Sequence, residues 1–341
     1  MNVTVIRIIK ALYRTSCFLC YFSGLYFLLS YLKRNKPVIL MYHSINHHNS
    51  PNIYPDNITS IENFEKQIKF LSQKRSIISL EELVRRLKQR SKFSPHTTVI
   101  TFDDGYYDFF LNAYPILRKY HTPATVFLIT GLLDSGAGKW EDKLAFLINM
   151  THSNSLRISL EGKKLLFRTS TAKERTHSIR GLQSILQGLS EDELTRTISE
   201  VEKAIGHKQD VFPLTTLRRS EIALLKDDPL ISFGAHTHSH ADLGKVNAAT
   251  ARSEIRTSRE EIEKITGRKC LLFSYPFGRK KNLTSQVKDL LKTEGFSGAV
   301  TATPGTIHLH SDLFELKRIA VADSATLEFR CALIGLILQR P

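Results

Sequence analysis

Cysteine is scarce, with Cys17, Cys20, Cys270 and Cys331 the only four in 341 residues. So few thiols exclude a disulfide framework as the organising device. The Cys17/Cys20 pair also lacks the second pair or βαβ context that a zinc ribbon or thioredoxin site needs. All four therefore read as small apolar residues. Acid is missing altogether from residues 1–36, which hold Arg7, Lys10, Arg14, Lys33, Arg34 and Lys36. Those six cations carry much of the net charge of +15, leaving the remainder only mildly basic. No Lys/Arg run interleaved with aromatics appears, so the pattern argues against a nucleic-acid-tracking surface. Repeats and low-complexity tracts are absent too. What is left, 42% hydrophobic and 24% charged, is ordinary globular composition at a length that suits one large α/β domain.

The chain divides into a basic, apolar segment, residues 1–36, and a body, residues 37–341. Cys17 to Leu32 is almost wholly apolar and aromatic, with cations on both sides, and belongs at a membrane. As a straight helix it would reach about 24 Å, short of the roughly 30 Å hydrocarbon core, so a short span and an interfacial anchor both remain open. No small-x-small cleavage site follows before Lys33, so a removed signal peptide fits poorly. Strands are expected at 37–42, 97–102, 124–130, 230–235, 270–275, 296–302 and 316–321, from their β-branched and aromatic runs. Phe64, Ile68 and Leu71 recur at helical spacing, and helices are expected at 81–90, at 109–120 with Pro115 interrupting, at 248–266 stopping at Gly267, and at 285–293. This alternation predicts a parallel α/β sheet or barrel. Residues 131–214 break the pattern and read as an insertion: a helix opened by Trp140, a hairpin around Glu161-Gly162, and a polar helix over 178–205. Trp140 is either a sugar-stacking surface or core, and core is the safer reading. The apolar tail 327–338 reads as a helix that closes the barrel.

Two stretches carry chemistry. Asp103 and Asp104 end the buried run 97–102 and are followed by Gly105. Adjacent carboxylates at a strand mouth raise one another's pKa unless a cation compensates, so the pair points either to a metal or catalytic site or to an acidic turn capping the next helix. HTHSH, residues 236–240, packs three imidazoles after another strand. If the chain turns helically there, His236 and His240 share a side while His238 points elsewhere. Two histidines and one aspartate suit zinc or another divalent ion; the alternative is a solvated polar loop. In a parallel barrel both stretches open on one face, which lets the acids and histidines converge. A lone His43, at the end of the first strand, reads as a hydrogen-bonding core residue.

In this order, VILMYHSI, TFDDGYYD, HTHSH and FSYPFG resemble the polysaccharide deacetylase family, the nodulation-type chitooligosaccharide deacetylases and their relatives, over roughly residues 37–321. The resemblance implies a distorted (β/α) barrel of about seven strands that removes N-acetyl groups from a cell-surface polysaccharide or lipid-linked sugar. It implies Asp103 as general base, a divalent metal, zinc, on Asp104, His236 and His240, and an oxyanion donor at the backbone N–H of Phe277. Tyr275, Pro276, Phe277 and Gly278 would line one wall of the substrate groove, with Arg318 near them. Two positions depart from the family pattern. Ser274 stands where many members have an Arg that orients the catalytic Asp, and Leu316-Lys317-Arg318 replaces the segment that carries the general-acid His. Arg318 is the candidate to replace the missing Arg; His308 and His310 are candidates for the missing acid. The alternatives are a deformylase or other deacylase of a lipid-linked sugar, and a glycan-binding protein that kept the barrel without turnover. The expected location is a bacterial inner membrane, held through residues 17–32.

Overall fold

A computed structural model describes residues 3–47, 50–51, 53–135, 138–160, 163–186, 189, 191–205, 216–321, 323–324 and 326–336. Seven short parallel strands form its centre: β1 (Val38–Tyr42), β2 (Thr97–Phe102), β3 (Ala124–Leu128), β4 (Ile231–Ala235), β5 (Leu272–Ser274), β6 (Gly298–Pro304) and β7 (Leu316–Ala320). Each pairs with the next in chain order, and β7 returns to β1 through Leu40 opposite Ile319, so the sheet closes into a barrel. Closure pairs the seven strands all round, and a two-residue strand, Ser76–Ile77, adds on beside the start of β2.

Period-two alternation sorts the side chains. Ile39, Val99, Phe127, Leu272, Val300 and Leu316 point inward and meet Leu80, Leu83, Val84 and Leu87 from helix Leu80–Lys88, whose apolar face fills the barrel's amino end. The outward set, including Leu40, Phe102, Val126 and Phe273, packs under the surrounding helices. Helix Ile61–Lys74 supplies Phe64, Ile68 and Leu71, all fully buried, and starts at Ser60, whose hydroxyl accepts from the Asn63 N–H. Helix Ala248–Thr266 ends at Gly267 in the left-handed conformation, as its sequence implied. Pro115 sits in the first turn of helix Tyr114–Lys119, after a π-helical stretch, where its missing N–H costs nothing. All four cysteines are free and buried.

The inserted segment has its own small core. Helix Trp140–Met150, the hairpin Ser155–Leu160/Lys163–Arg168, and helices Ala172–Leu186 and Glu191–Ile205 join Leu144, Ile148, Leu156, Ile158, Ile179, Leu182 and Val201. Two helices thus replace the single one expected over 178–205, because each turns a separate apolar stripe to helix Trp140–Met150. Trp140 packs against this core. The hairpin's turn, residues 161 and 162, lies outside the described residues.

Two expectations about the termini change. The N-terminal apolar stretch is not one straight helix. Helix Val3–Phe22 and helix Leu25–Leu32 meet at an 82° bend where Gly24 is left-handed, and among the described residues no single helix is long and apolar enough to cross a membrane. The tail helix, Thr326–Leu333, does not close the barrel, since β1 and β7 do so directly. It packs outside, with Phe329 against Phe70 of helix Ile61–Lys74. Tail residues 337 and 338 lie outside the described residues.

Candidate metal and catalytic centre

Asp103 and Asp104 leave the carboxyl end of β2 just as the chain turns. Asp104 has φ of 72° and Gly105 of 63°, and a Cβ on Gly105 would meet Leu128 at 2.7 Å. The left-handed φ favours glycine there, and any other residue would also push the Leu128 side chain aside. The left-handed step at Asp104 sends the two carboxylates to different partners, and both are 3% exposed.

Asp104 faces the histidines. Its Oδ1 lies 3.4 Å from His236 Nε2 and 3.6 Å from His240 Nε2. Ligands about 2.0–2.2 Å from a tetrahedral zinc stand roughly 3.3 Å from one another, so these three atoms fit a shared divalent ion. His236 Nδ1 is 2.7 Å from the Ser274 carbonyl, which can only accept; Nδ1 therefore carries a hydrogen, and Nε2 is the nitrogen turned toward Asp104 for a metal. Burial pushes His240 down to about 3, against the pull of Asp104, leaving it a neutral donor at neutral pH. HTHSH reaches this geometry without a helical turn. Thr237 and His240 are both left-handed, at φ of 64° and 66°, and it is this kinked loop that brings the two rings to 5.1 Å. His238 turns away, its Nδ1 3.0 Å from Thr130 Oγ1.

Asp103 faces Arg318. The guanidinium grips it with two hydrogen bonds, 2.7 Å to Oδ1 and 2.6 Å to Oδ2, and Arg318 also donates to Ser274 Oγ, Thr101 Oγ1 and the Thr301 carbonyl. Arg318 is 1% exposed and shares the inward face of β7 with Leu316. It lies beneath Asp103 inside the barrel, not in the groove. Burial alone would raise the Asp103 carboxyl, but Arg318 outweighs it and holds the group below the usual carboxylate range. The guanidinium therefore does from β7 what an Arg at position 274 would do from β5, with Ser274 filling the space that remains.

Sequence reasoning missed two residues. Lys139, from the insertion, reaches in so that its ammonium lies 2.5 Å from Asp104 Oδ2, both side chains buried. Burial opposes the charges of both partners, yet their attraction wins: Asp104 falls well below and Lys139 rises well above its ordinary value. His43, at the end of β1, is partly buried. Burial pushes it down to about 4 against the opposing fields of Asp104 and Asp103, which places it in the electrostatic reach of both carboxylates. Its place one residue past β1, within VILMYHSI, is the signal the sequence offered.

The segment 275–278 is mostly beneath the surface. Tyr275 is 2% exposed, donates to the Phe314 carbonyl and packs on Phe273, and Pro276 and Gly278 are buried as well. Of the expected groove wall only Phe277 reaches the site, its ring 5.1 Å from His240 and its φ at 61°. His308 and His310 are exposed and cannot serve as the acid. The neighbouring Ile307 N–H donates to the Pro37 carbonyl, at the amino end of the barrel opposite the carboxylates.

Lys139 also organises a second acidic pair. Asp142 accepts from Tyr106 Oη and the Tyr54 N–H, and Lys139 lies 5.1 Å from the centre of the Tyr106 ring. Beside it Glu141 Oε2 is buried without a hydrogen-bond partner among the described residues. Burial pushes Glu141 up to about 7, with Lys139 pulling the other way. The native group thus holds its proton after the unfolded chain has released its own, so stability falls as pH rises from about 4.5 through 7. By pH 8 the loss is on the order of 3 kcal/mol. Glu141→Gln should remove that slope, and its advantage over the wild type in urea unfolding should grow from pH 5 to pH 8. Parallel stability profiles would show that Glu141 ionises freely.

Comparison with known proteins places this geometry in context. Residues 90–296 match the family model described as polysaccharide deacetylase. YxkH of Bacillus subtilis (strain 168), named for the same family, is 25% identical over 297 residues, covering 86% of this chain and 75% of the relative. A poly-beta-1,6-N-acetyl-D-glucosamine N-deacetylase of Staphylococcus aureus (strain MSSA476) is 45% identical over 69 residues, only 20% of this chain and 23% of that protein. Among solved structures, the Streptococcus pyogenes deacetylase PplD in complex with acetate superposes with a TM-score of 0.58 at 20% identity, over 86% of this chain and 95% of that one. IcaB from Ammonifex degensii gives 0.54 at 16% identity, over 89% and 98%. The two structural likenesses speak to the fold.

Proposed function

Because the chain belongs to the polysaccharide deacetylase family, whose model spans residues 90–296, we propose that it hydrolyses the N-acetyl group of a bacterial cell-surface polysaccharide to a free amino sugar and acetate, using one divalent ion, zinc, on Asp104, His236 and His240. The observation that carries the reading is the division of labour between the adjacent aspartates: one oxygen of Asp104 turned to the Nε2 atoms of two imidazoles, and both oxygens of Asp103 held by Arg318.

A bound ion supplies Lewis acidity and a water of lowered pKa at this site. Asp103, kept ionised by Arg318, accepts the proton of the attacking water through a lone pair that the guanidinium leaves free. Its depressed pKa makes it a modest base, and its fixed orientation compensates by holding the accepting oxygen in place. The Phe277 N–H, on a left-handed backbone beside His240, is assigned to the developing oxyanion. The proton that Asp103 takes from the water is the one the departing amine must receive, and His43, neutral and within the electrostatic reach of Asp103, is assigned to relay it.

Acetate release from an N-acetylglucosamine oligomer tests this. Asp103→Asn should lower kcat by about 10²–10⁴ while retaining the far-UV spectrum of the wild type. His43→Ala should slow amide hydrolysis far more than hydrolysis of 4-nitrophenyl acetate, whose leaving group needs no proton. Equal losses on both substrates would remove His43 from that step. The reading places the enzyme at a bacterial inner membrane, through residues 17–32. A lipid-linked saccharide is the second substrate class, favoured only by that apolar segment, and direct comparison of soluble and lipid-linked substrates separates the two.

A further inference from the structure

The N-terminal helix pair has two unlike sides. One is fastened to the body: Tyr13 Oη donates to the Leu336 carbonyl, Arg14 pairs with Glu328, and Arg330 donates to Tyr21 Oη. Cys17, 0% exposed, packs where Cys331 Sγ approaches its carbonyl. The other side carries Phe18, Leu19, Phe22, Phe27, Leu28 and Leu32, all exposed, with Phe22 at 68%. Ring contacts run Phe18 to Phe22, Phe22 to Tyr21 and Tyr21 to Phe27, so the apolar surface continues across the bend at Gly24. A helix tied along its length to a folded body cannot thread a bilayer, and one bent by 82° presents a face instead of a rod.

Resting on the membrane reading above, we propose that this pair is an in-plane anchor, lying in the surface of an anionic bilayer with its exposed face among the acyl chains. Residues 1–36 hold six cations and no acid, the complement of anionic headgroups. The anchor also fixes where the barrel opens. Helix Leu25–Leu32 runs directly into Lys33, whose ammonium bonds the Ile334 carbonyl, and Arg34, whose carbonyl accepts from the N–H of His96 just before β2. The lipid face therefore adjoins the amino end of the barrel, and the catalytic mouth opens at the other end. Strands of five or six residues separate the two by roughly 17–20 Å. That stance suits a polymer chain in water above the membrane in preference to a sugar held at the headgroups.

Full-length protein should float with vesicles of phosphatidylcholine and phosphatidylglycerol, bind pure phosphatidylcholine more weakly, and be released by alkaline carbonate, as a spanning protein is not. An N-terminal epitope tag should remain on the same side of the membrane as the barrel. Phe22→Glu with Phe27→Glu, both surface changes, should weaken vesicle binding about 100-fold and leave acetate release from a soluble oligomer unchanged. Vesicle binding by the wild type should likewise leave that turnover unchanged. A carbonate-resistant protein with its tag across the membrane overturns the in-plane anchor, and so does a stable dimer that the double variant dissociates without any vesicle binding. Turnover blocked by vesicle binding overturns the orientation. None of these depends on the catalytic assignment, which fails separately if bound, folded protein releases no acetate.

Discussion

Arg318→Met should lose about 3–5 kcal/mol of stability, because it strands a fully buried Asp103 carboxylate that the guanidinium now holds with two short hydrogen bonds. Turnover should fall with it, by about 10²–10⁴, since Asp103 loses both its charge state and its aim. Lost packing is a rival cause of the instability, and the double variant Arg318→Met with Asp103→Leu decides between them. With both charges gone no buried charge is left unpaired, only the smaller polar partners Ser274 Oγ and the Thr301 carbonyl, and replacing a buried ion pair by apolar groups is often neutral. Stability should return close to that of the wild type while activity stays absent. Urea unfolding of the four proteins in the cycle gives the coupling. If Arg318→Met unfolds at the wild-type midpoint and keeps its turnover, the pair has no such role.

The second large effect concerns the three-residue donor set. His240→Asn is the variant of choice, because position 240 is left-handed and asparagine tolerates that conformation better than alanine. Asp104→Asn would confuse the result, since it also leaves the buried Lys139 without its nearest counter-charge. His240→Asn should weaken zinc binding by more than about 100-fold, a larger loss than changes outside the ligand set produce, with acetate release falling in step at limiting zinc. The fold should survive, because in the metal-free state Lys139 and the Tyr106/Asp142 pair already satisfy this side of the site. Titration calorimetry reads the affinity and circular dichroism the fold. Wild-type affinity in the variant would exclude His240 as a ligand.

Strand ends and their acids and histidines were legible because alternation and β-branching report local burial directly. Arg318 was half legible: two residues from Leu316 on one strand, it had to share Leu316's inward face, yet only the closed barrel shows that Asp103 lies opposite. The same alternation puts Tyr275 with Phe273, which is why it joins the core and not the groove. HTHSH put forward two residues that the structure does bring beside Asp104, but from the wrong local geometry. A left-handed Thr237 is unusual for a β-branched residue, and no helical or strand pattern announces it. Lys139 was not legible, since it stands before a helix of the inserted segment and acquires meaning only when that segment folds over Asp104. The 82° bend was visible only as one glycine, Gly24, in an apolar run.

The most direct test is a single titration of chelator-stripped wild-type protein with zinc, following bound ion and acetate released from an N-acetylglucosamine oligomer together. The account predicts one ion per chain, with acetate release absent at the start and rising in proportion to occupancy. Full acetate release from the stripped protein, before any ion is added, would contradict it.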